Sequence, residues 1–598
     1  MRRINNRLAV TGALAGLAIL VTGCGSTVAS SAKESTHSST ITMADQPNTN
    51  FKSILPILAS ADENVISANT IRLLYVPLYQ FGSGKSATFD PSLSLAEAPI
   101  FSDGGLKVSI RLHHYRWSNG TPVTAQDAQF WEDLLVANKA QWSEYVPGEY
   151  PDFVTAFDVT GTYTFTMTFN KVYNQAFIIR NALAYLTPLP QDAWDRTSAQ
   201  QPIGNDAATT TGAKAVFAYL LSKSKSLSTY TTDPLWKVID GPYRLDSFTQ
   251  TTGYTVLTRN PEFPGTPAKV ARFEEVPFTS DTAEFDALRS GRLDYGYLPP
   301  EDSAQAGYFT SRGYKIDSWY TSQINFIDFN YANSTVGPIF KQLYVRQALE
   351  HLVDQPEYVK DIFHGYGNSS YGPVPDVPAS SYVSSDETHP LYSYAPKTAA
   401  KLLSEHGWAK NSSGHLECTR AGASADECGS GIALHAPLTL TLLYNSGSVS
   451  ATEEVEAFQS SLGSAGIPLS LNSVPFDSIF TRLLPGSNSW ELGYWGGGSS
   501  AWTFLQDYPL GSQLFADSGS FNLGEYDSTT STADISSALS SSGLGPLHIF
   551  ENYVAQQVAD LWMPVQPSQV SVVRSFIKGA VPQSSTSMVQ PEQWTVSG

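Results

Sequence analysis

Between Lys107 and His113 the chain reads KVSIRLH, which puts Val108, Ile110 and Leu112 on one side of an extended backbone and Ser109 and Arg111 on the other. YTFTMTFN (Tyr163–Asn170) repeats the pattern, with Tyr163, Phe165, Met167 and Phe169 set against threonines, and TLTLLYN (Thr439–Asn445) is a third such run. Side chains alternate across a strand, so each run predicts a strand with one buried face. Helical spacing interleaves with these runs. QLYVRQALEHLVD (Gln342–Asp354) brings Leu343, Ala348, Leu349, Leu352 and Val353 to one face. Pro396 opens PKTAAKLLSEHGW, with Gly407 where a C-terminal cap belongs. TAEFDALRSGRLDYG reads as a helix stopped at Gly291 and followed by a strand. Two periods in alternation along 598 residues require an α/β fold, and the length requires more than one lobe. No internal repeat is visible.

Charge then removes several function classes. The 55 acidic and 36 basic residues give a net charge of −19, which argues against nucleic acid as a partner, because neutralising phosphates demands Lys and Arg. Charged residues make up only 15% of the chain, against about 25% in ordinary soluble domains. A sparsely charged, acidic exterior suits a low-pH habitat. FGSGKS (Phe81–Ser86) imitates the end of a phosphate-binding loop, but Tyr79 stands where the first glycine belongs and Asp90-Pro91 follows where a helix should. It reads as a turn between two strands. His113 and His114 are adjacent on a predicted strand, where neighbours point to opposite sides, so they are poorly placed to chelate. No G-x-S-x-G, H-E-x-x-H or C-x-x-C occurs. No nucleophile and base can be paired, so no catalytic residue, cofactor or metal is expected, and the chain is read as a non-enzyme.

The N-terminus, MRRINNRLAVTGALAGLAILVTGCGST, carries Arg2, Arg3 and Arg7 before an apolar stretch from Leu8 to Val21. That stretch is short for a span of about 20 residues and has the layout of a secretion signal. It ends in Val21-Thr22-Gly23-Cys24, which resembles the lipobox of bacterial lipoproteins, where cleavage precedes the cysteine and the thiol is lipidated. The expectation is a lipid anchor at Cys24 on the outer, extracytoplasmic face of the cell membrane. A Ser/Thr-rich flexible tether follows. Cys418 and Cys428 flank the polar TRAGASADE. In an oxidising compartment this pair predicts a disulfide; zinc would need more ligands than nearby His415 supplies.

LLYVPLYQF (Leu73–Phe81) and RLHHYRWSNGTPVTAQDAQFWEDLL (Arg111–Leu135) resemble the extracellular solute-binding proteins of family 5, the peptide/nickel/oligosaccharide-type subunits of ABC importers. Trp117, Asn119, Gly120, Pro122, Thr124, Ala125 and Asp127 match that family's segment, with Ala128 in place of its Val. The physics of this segment is structural: Asn119-Gly120 makes a turn, and Thr124 caps a helix with Asp127 in its first turn. DGPYRLDSF, ALRSGRLDY, NFIDFNYANSTVGPIFKQLYVRQALEHLVD and AAKLLSEHGW continue the match in the family's order.

The resemblance implies an α/β, two-lobed periplasmic-binding-protein-like fold (class II), with an extra domain in the larger lobe and two crossover strands. On this sequence it implies a signal peptide at 1–23 and a tether at 24–48. Lobe I falls at 49–80, 235–318 and 555–598, the extra domain at 81–234, and lobe II at 319–554. It further implies that a small solute is held in the cleft, that the lobes close over it, and that the closed form docks on a membrane permease driven by ATPases. Oligopeptide is the leading ligand class. A neutral oligosaccharide, which tryptophans could stack on, and a surface sensor without a dedicated permease are the alternatives.

One stretch bears on the ligand. YWGGGSSAW (Tyr494–Trp502) falls at the family's strand-then-loop by the cleft, where many peptide binders carry an aspartate that pairs with the ligand's α-ammonium. Gly496 to Ser500 contain no acid, and Glu491 and Asp507 only flank the loop. A buried ammonium without a carboxylate costs several kcal/mol. The stretch reads either as a cleft wall of backbone and rings or as a structural turn whose rings pack into the core. Taken as a wall, it makes Tyr494, Trp495, Gly496, Gly497, Ser499 and Trp502 ligand-binding candidates. Tyr320, Gln323 and Asn325 join them at the first expected crossover, with Asn69 near the start of the strand–helix region that holds LLYVPLYQF. Asn330 is expected to tie a strand to a loop.

Overall fold

A computed structural model describes residues 40–45, 51–59, 62, 65–82, 89–145, 147–446, 448–475, 479, 481–495, 502–504, 508–517, 519, 521–581 and 588–597. The first described residues already correct the sequence reading. Thr40–Ala44 is a strand, β1, with Ile41 and Met43 buried between the threonines. The expected tether therefore stops short of residue 48 and does not include this segment. A helix, Val65–Leu74, follows.

Strands β2 (Ile100–Ser102), β3 (Lys107–Arg111), β4 (Val154–Gly161) and β5 (Thr164–Phe169) form a four-stranded antiparallel sheet in the order β2-β3-β5-β4. The alternation read from the sequence sets its faces: Val108, Ile110, Phe165 and Met167 are buried. Helix Ala125–Asn138 begins at Thr124, whose backbone N–H donates to Asp127 Oδ2 at 2.8 Å, completing a capping box.

Next come β6 (Tyr243–Phe248), β7 (Thr255–Arg259), β8 (Arg272–Val276), β9 (Tyr295–Tyr297) and β10 (Tyr314–Trp319). Helix Asp281–Arg289 joins β8 to β9, and Gly291 just beyond it has φ of 78°, a left-handed conformation that suits glycine. With β1 and a late strand, these build a seven-stranded sheet.

The chain then leaves for a second sheet. β11 (Gln323–Phe329) is its centre and is buried at every position. Helices Leu343–Glu350 and Pro396–Glu405 lead to a small hairpin, β12 (Trp408–Lys410) and β13 (Leu416–Cys418). Gly407, with φ of 83°, makes the turn after the second helix. Cys418 is bonded to Cys428. β14 (Leu440–Ser446), β15 (Leu469–Pro475), β16 (Leu492–Tyr494), β17 (Trp502–Thr503) and β18 (Leu561–Met563) complete the second sheet, in the order β15-β14-β16-β11-β17 with β18 on β11.

β19 (Gln569–Arg574) returns to the first sheet, whose order is β10-β19-β9-β1-β8-β7-β6. Helix Gly545–Gln557 and β18 precede this return, so the expected boundary at 555 moves to the segment 564–568. The C-terminal residues fold back over the first sheet. Trp594 stacks on Tyr295 at 5.7 Å, and Arg72 on the first helix pairs with Glu592 at 2.7 Å while donating to Val589 O. Residues 83–88 of the FGSGKS stretch lie outside the described residues; Phe81 and Phe89 on either side form an antiparallel bridge. Among the described residues no helix is long and apolar enough to cross a membrane.

Candidate functional site

Two short segments cross between the sheets, residues 320–322 and 564–568, and hydrogen bonds lace them together. Thr321 N donates to Ser568 Oγ at 2.9 Å, Gln323 Nε2 donates to Gln566 O, and Asn325 Nδ2 donates to Pro564 O at 2.9 Å. Trp319 Nε1 donates to Ser571 Oγ at 2.9 Å just before the crossing.

Strand direction says which edges face this junction. In the first sheet β1 is parallel to β8 and β9, and β19 runs antiparallel to β9 and β10. The carboxyl ends of β1, β8 and β9 therefore lie on the same side as the end of β10, where the chain crosses. In the second sheet β14, β15 and β16 are parallel to one another, and β16 is antiparallel to β11. Their carboxyl ends lie beside the start of β11, again at the crossing. Ligands of α/β sheets bind outside carboxyl ends, and here two such edges share one hinge.

Away from the hinge, the extra domain touches the second lobe. Arg180 Nε donates to Tyr382 Oη at 2.9 Å, and its guanidinium lies 4.6 Å from the Phe81 ring centroid and 5.2 Å from that of Tyr382. Tyr508 N donates to Asn181 Oδ1 at 2.9 Å, and Asn174 Nδ2 to Ser541 O at 2.7 Å. Apart from Phe81, none of these residues drew notice in the sequence, because they come together from distant segments that carry no shared motif.

The predicted site residues divide. Tyr320 stands on the crossover, half-buried; Asn368 hydrogen-bonds its hydroxyl, and burial pushes the phenol up to about 12. Gln323 and Asn325 are buried and spend their amide nitrogens on the opposite crossover, so they build the hinge. Asn69 is also buried and donates to Glu275 at 3.2 Å within the first lobe.

Tyr494 is fully buried; its hydroxyl donates to Glu454 Oε2 at 3.0 Å and accepts from Asn325 Nδ2 at 2.7 Å. Trp495 is 4% exposed, donates to Asp328 Oδ2 at 2.7 Å, and packs edge-on against Phe326. These two rings are core, which corrects their reading as ligand contacts: partners from β11 and helix Val449–Ala465 consume their polar atoms. Trp502 differs. It is half-buried, its ring contacts Phe521 at 5.0 Å, and its buried indole N–H has no partner among the described residues.

Gly496, Gly497 and Ser499 lie outside the described residues, as do Asp507 and Cys24. Glu491 Oε2 accepts from Thr441 N and Oγ1 at 2.6 and 3.0 Å, which occupies it structurally. Asn330 donates to Ser487 O and Trp490 O, tying strand to loop. Among the described residues no group of three or more His, Cys, Asp or Glu is arranged to hold a metal ion.

A family model described as "Bacterial extracellular solute-binding proteins, family 5 Middle" matches residues 90–521. The chain belongs to that family. A Brucella ovis relative, described as an ABC transporter peptide-binding protein, is 25% identical over 331 residues. That match covers 53% of this chain and 52% of the relative, so it spans about half the length of that protein. The Bacillus subtilis oligopeptide-binding protein AppA is 21% identical over 435 residues, covering 72% of this chain and 70% of AppA. Among solved structures, AppA in complex with a nonapeptide superposes with a TM-score of 0.64 at 18% identity, covering 94% of this family 5 chain and 99% of AppA. NikA from Brucella suis in complex with Fe(III)-EDTA gives 0.70 at 17%, covering 93% and 99%. At such identities the superpositions speak for the two-lobed fold alone.

Proposed function

We propose that this chain is the extracytoplasmic substrate-binding component of an ABC importer, anchored through Cys24, which captures an oligopeptide between its lobes and delivers it to a membrane permease. The observation that carries the reading is the pair of carboxyl edges meeting at one doubly crossed hinge, in a chain of the solute-binding family. Two short laced crossovers permit rigid-body rotation of the lobes, and the Arg180–Tyr382 contact gives them a seam to close along. Peptide is favoured over other solutes because the relatives described above by function are peptide binders.

A neutral oligosaccharide is the second reading. It is favoured by the acid-free sequence from Gly496 to Ser500 and by Trp502, a half-buried ring whose buried indole N–H has no partner among the described residues.

Mass spectrometry of what denaturation releases from the natively purified protein separates the two. A ladder of short peptides is the expected result. A single sugar series would overturn the peptide reading and leave the solute-binding one standing.

A further inference from the structure

The sequence from Gly496 to Ser500 offers no acid to a peptide's α-ammonium, and the carboxyl edge of the first sheet holds one. Asp45 directly follows β1, the strand flanked on both sides by parallel neighbours. The chain passes from β8 to β9 across β1, which makes this point a topological switch, where α/β sheets bind ligands. Ile41, Met43 and Asp45 alternate onto one face. Met43 is level with both Glu275 and Tyr295, so Asp45 stands one step beyond them, beside Tyr297.

The side chain of Asp45 is fully buried, and among the described residues neither carboxylate oxygen has a hydrogen-bond partner. Its neighbour Glu275, equally buried, has both oxygens engaged, by Asn69 and Thr70 at 3.2 and 3.1 Å. Among the described residues neither acid forms an ion pair. Burial first, and then the charge of Glu275, holds the Asp45 carboxyl well above its usual range. Two buried acids with no cation cost free energy that an arriving cation would recover.

We infer that Asp45, backed by Glu275, receives the cationic end of the ligand: the α-ammonium of an oligopeptide, admitted when the lobes open. This inference rests on the peptide reading above and moves ammonium recognition from the second lobe to the first.

Calorimetric titration of ligand-stripped protein tests it. The probes are a pool of synthetic oligopeptides with free N-termini and the same pool N-acetylated. Wild-type protein should lose roughly 100-fold in affinity on acetylation, the range for leaving a buried charge unpaired. Asp45→Asn should bind the free pool as weakly as wild type binds the acetylated one, with no further loss on acetylation. Its melting temperature should match that of wild type, since asparagine is close in size to the neutral acid that burial favours there.

Wild-type affinity indifferent to acetylation would overturn the inference without recourse to any variant, and would leave the peptide reading intact. An Asp45→Asn protein that keeps the full preference for free N-termini would overturn the assignment to this residue. Binding of neither pool would overturn both this inference and the peptide reading.

Discussion

Lowering the pH from about 8 to about 5 should raise the melting temperature of the ligand-free protein by roughly 10 °C. The reason is a set of buried carboxyls that form no ion pair among the described residues. Burial pushes Asp240, Glu350, Glu454 and Glu551 up to about 8, and Glu132 and Glu275 to about 7. Glu387, beside Glu551, is pushed to about 9 by burial and then by the charge of Glu551. Their hydrogen bonds come from uncharged groups: Val76 N to Asp240, Trp562 N to Glu350, Tyr494 Oη to Glu454, and Ser384 N to Glu551.

An acid whose folded pKa lies above its unfolded value keeps a proton in the fold that the unfolded chain gives up. The stabilisation is fully present below the unfolded value, 4.5 for glutamate and 3.8 for aspartate. It is lost as the pH climbs through the folded value near 8. Between these limits each such group contributes a slope of about 1.4 kcal/mol per pH unit. Scanning calorimetry across that window checks it. A melting temperature that stays flat or falls on acidification would mean that these carboxyls are ionised in the fold.

The second large effect is at Trp495. Truncation to alanine should cost about 3–5 kcal/mol, the usual range for a buried tryptophan, and should lower the melting temperature by several degrees. The ring touches Phe326 and Trp502 edge-on at 5.2 and 6.0 Å, and its indole N–H is a donor to buried Asp328. Removing it leaves a cavity and an acceptor deprived of its donor. Trp502→Ala is the contrasting variant. Half-buried and with no hydrogen bond from its N–H among the described residues, Trp502 should be removable with little change in melting temperature and a clear loss of ligand affinity. Thermal melts of both variants decide the pair. Equal melting temperatures for Trp495→Ala and wild type would place that ring at the ligand after all.

These two neighbours show where sequence stops speaking. An aromatic–glycine run says that rings flank a turn but not which ring is spent inside. That depends on partners such as Asp328, 167 residues away, and Glu454, 40 residues away. The strands were legible where alternation was set against polar neighbours, as in β3 and β5, because one face is buried and the other is not. β1 carries the same alternation in Thr40-Ile41-Thr42-Met43, but a serine- and threonine-rich context disguised it as tether. With β1 went Asp45, the acid proposed above to receive the ligand's cationic end. β11, buried throughout, has no polar face to betray its period, and it was found only as part of a family segment. The helix caps at Thr124, Gly291 and Gly407 are local chemistry and were readable directly. The hinge was placed by resemblance, but its lacing by Gln323 and Asn325 joins two segments more than two hundred residues apart in sequence.

Capture between closing lobes is tested most directly by small-angle X-ray scattering from the ligand-stripped protein, before and after addition of the free-N-terminus oligopeptide pool. The expected result is a fall in the radius of gyration as the crossovers at 320–322 and 564–568 bend and the lobes meet along the Arg180–Tyr382 seam. A radius unchanged by any peptide, or a contraction produced by neutral oligosaccharide alone, would contradict peptide capture in this cleft.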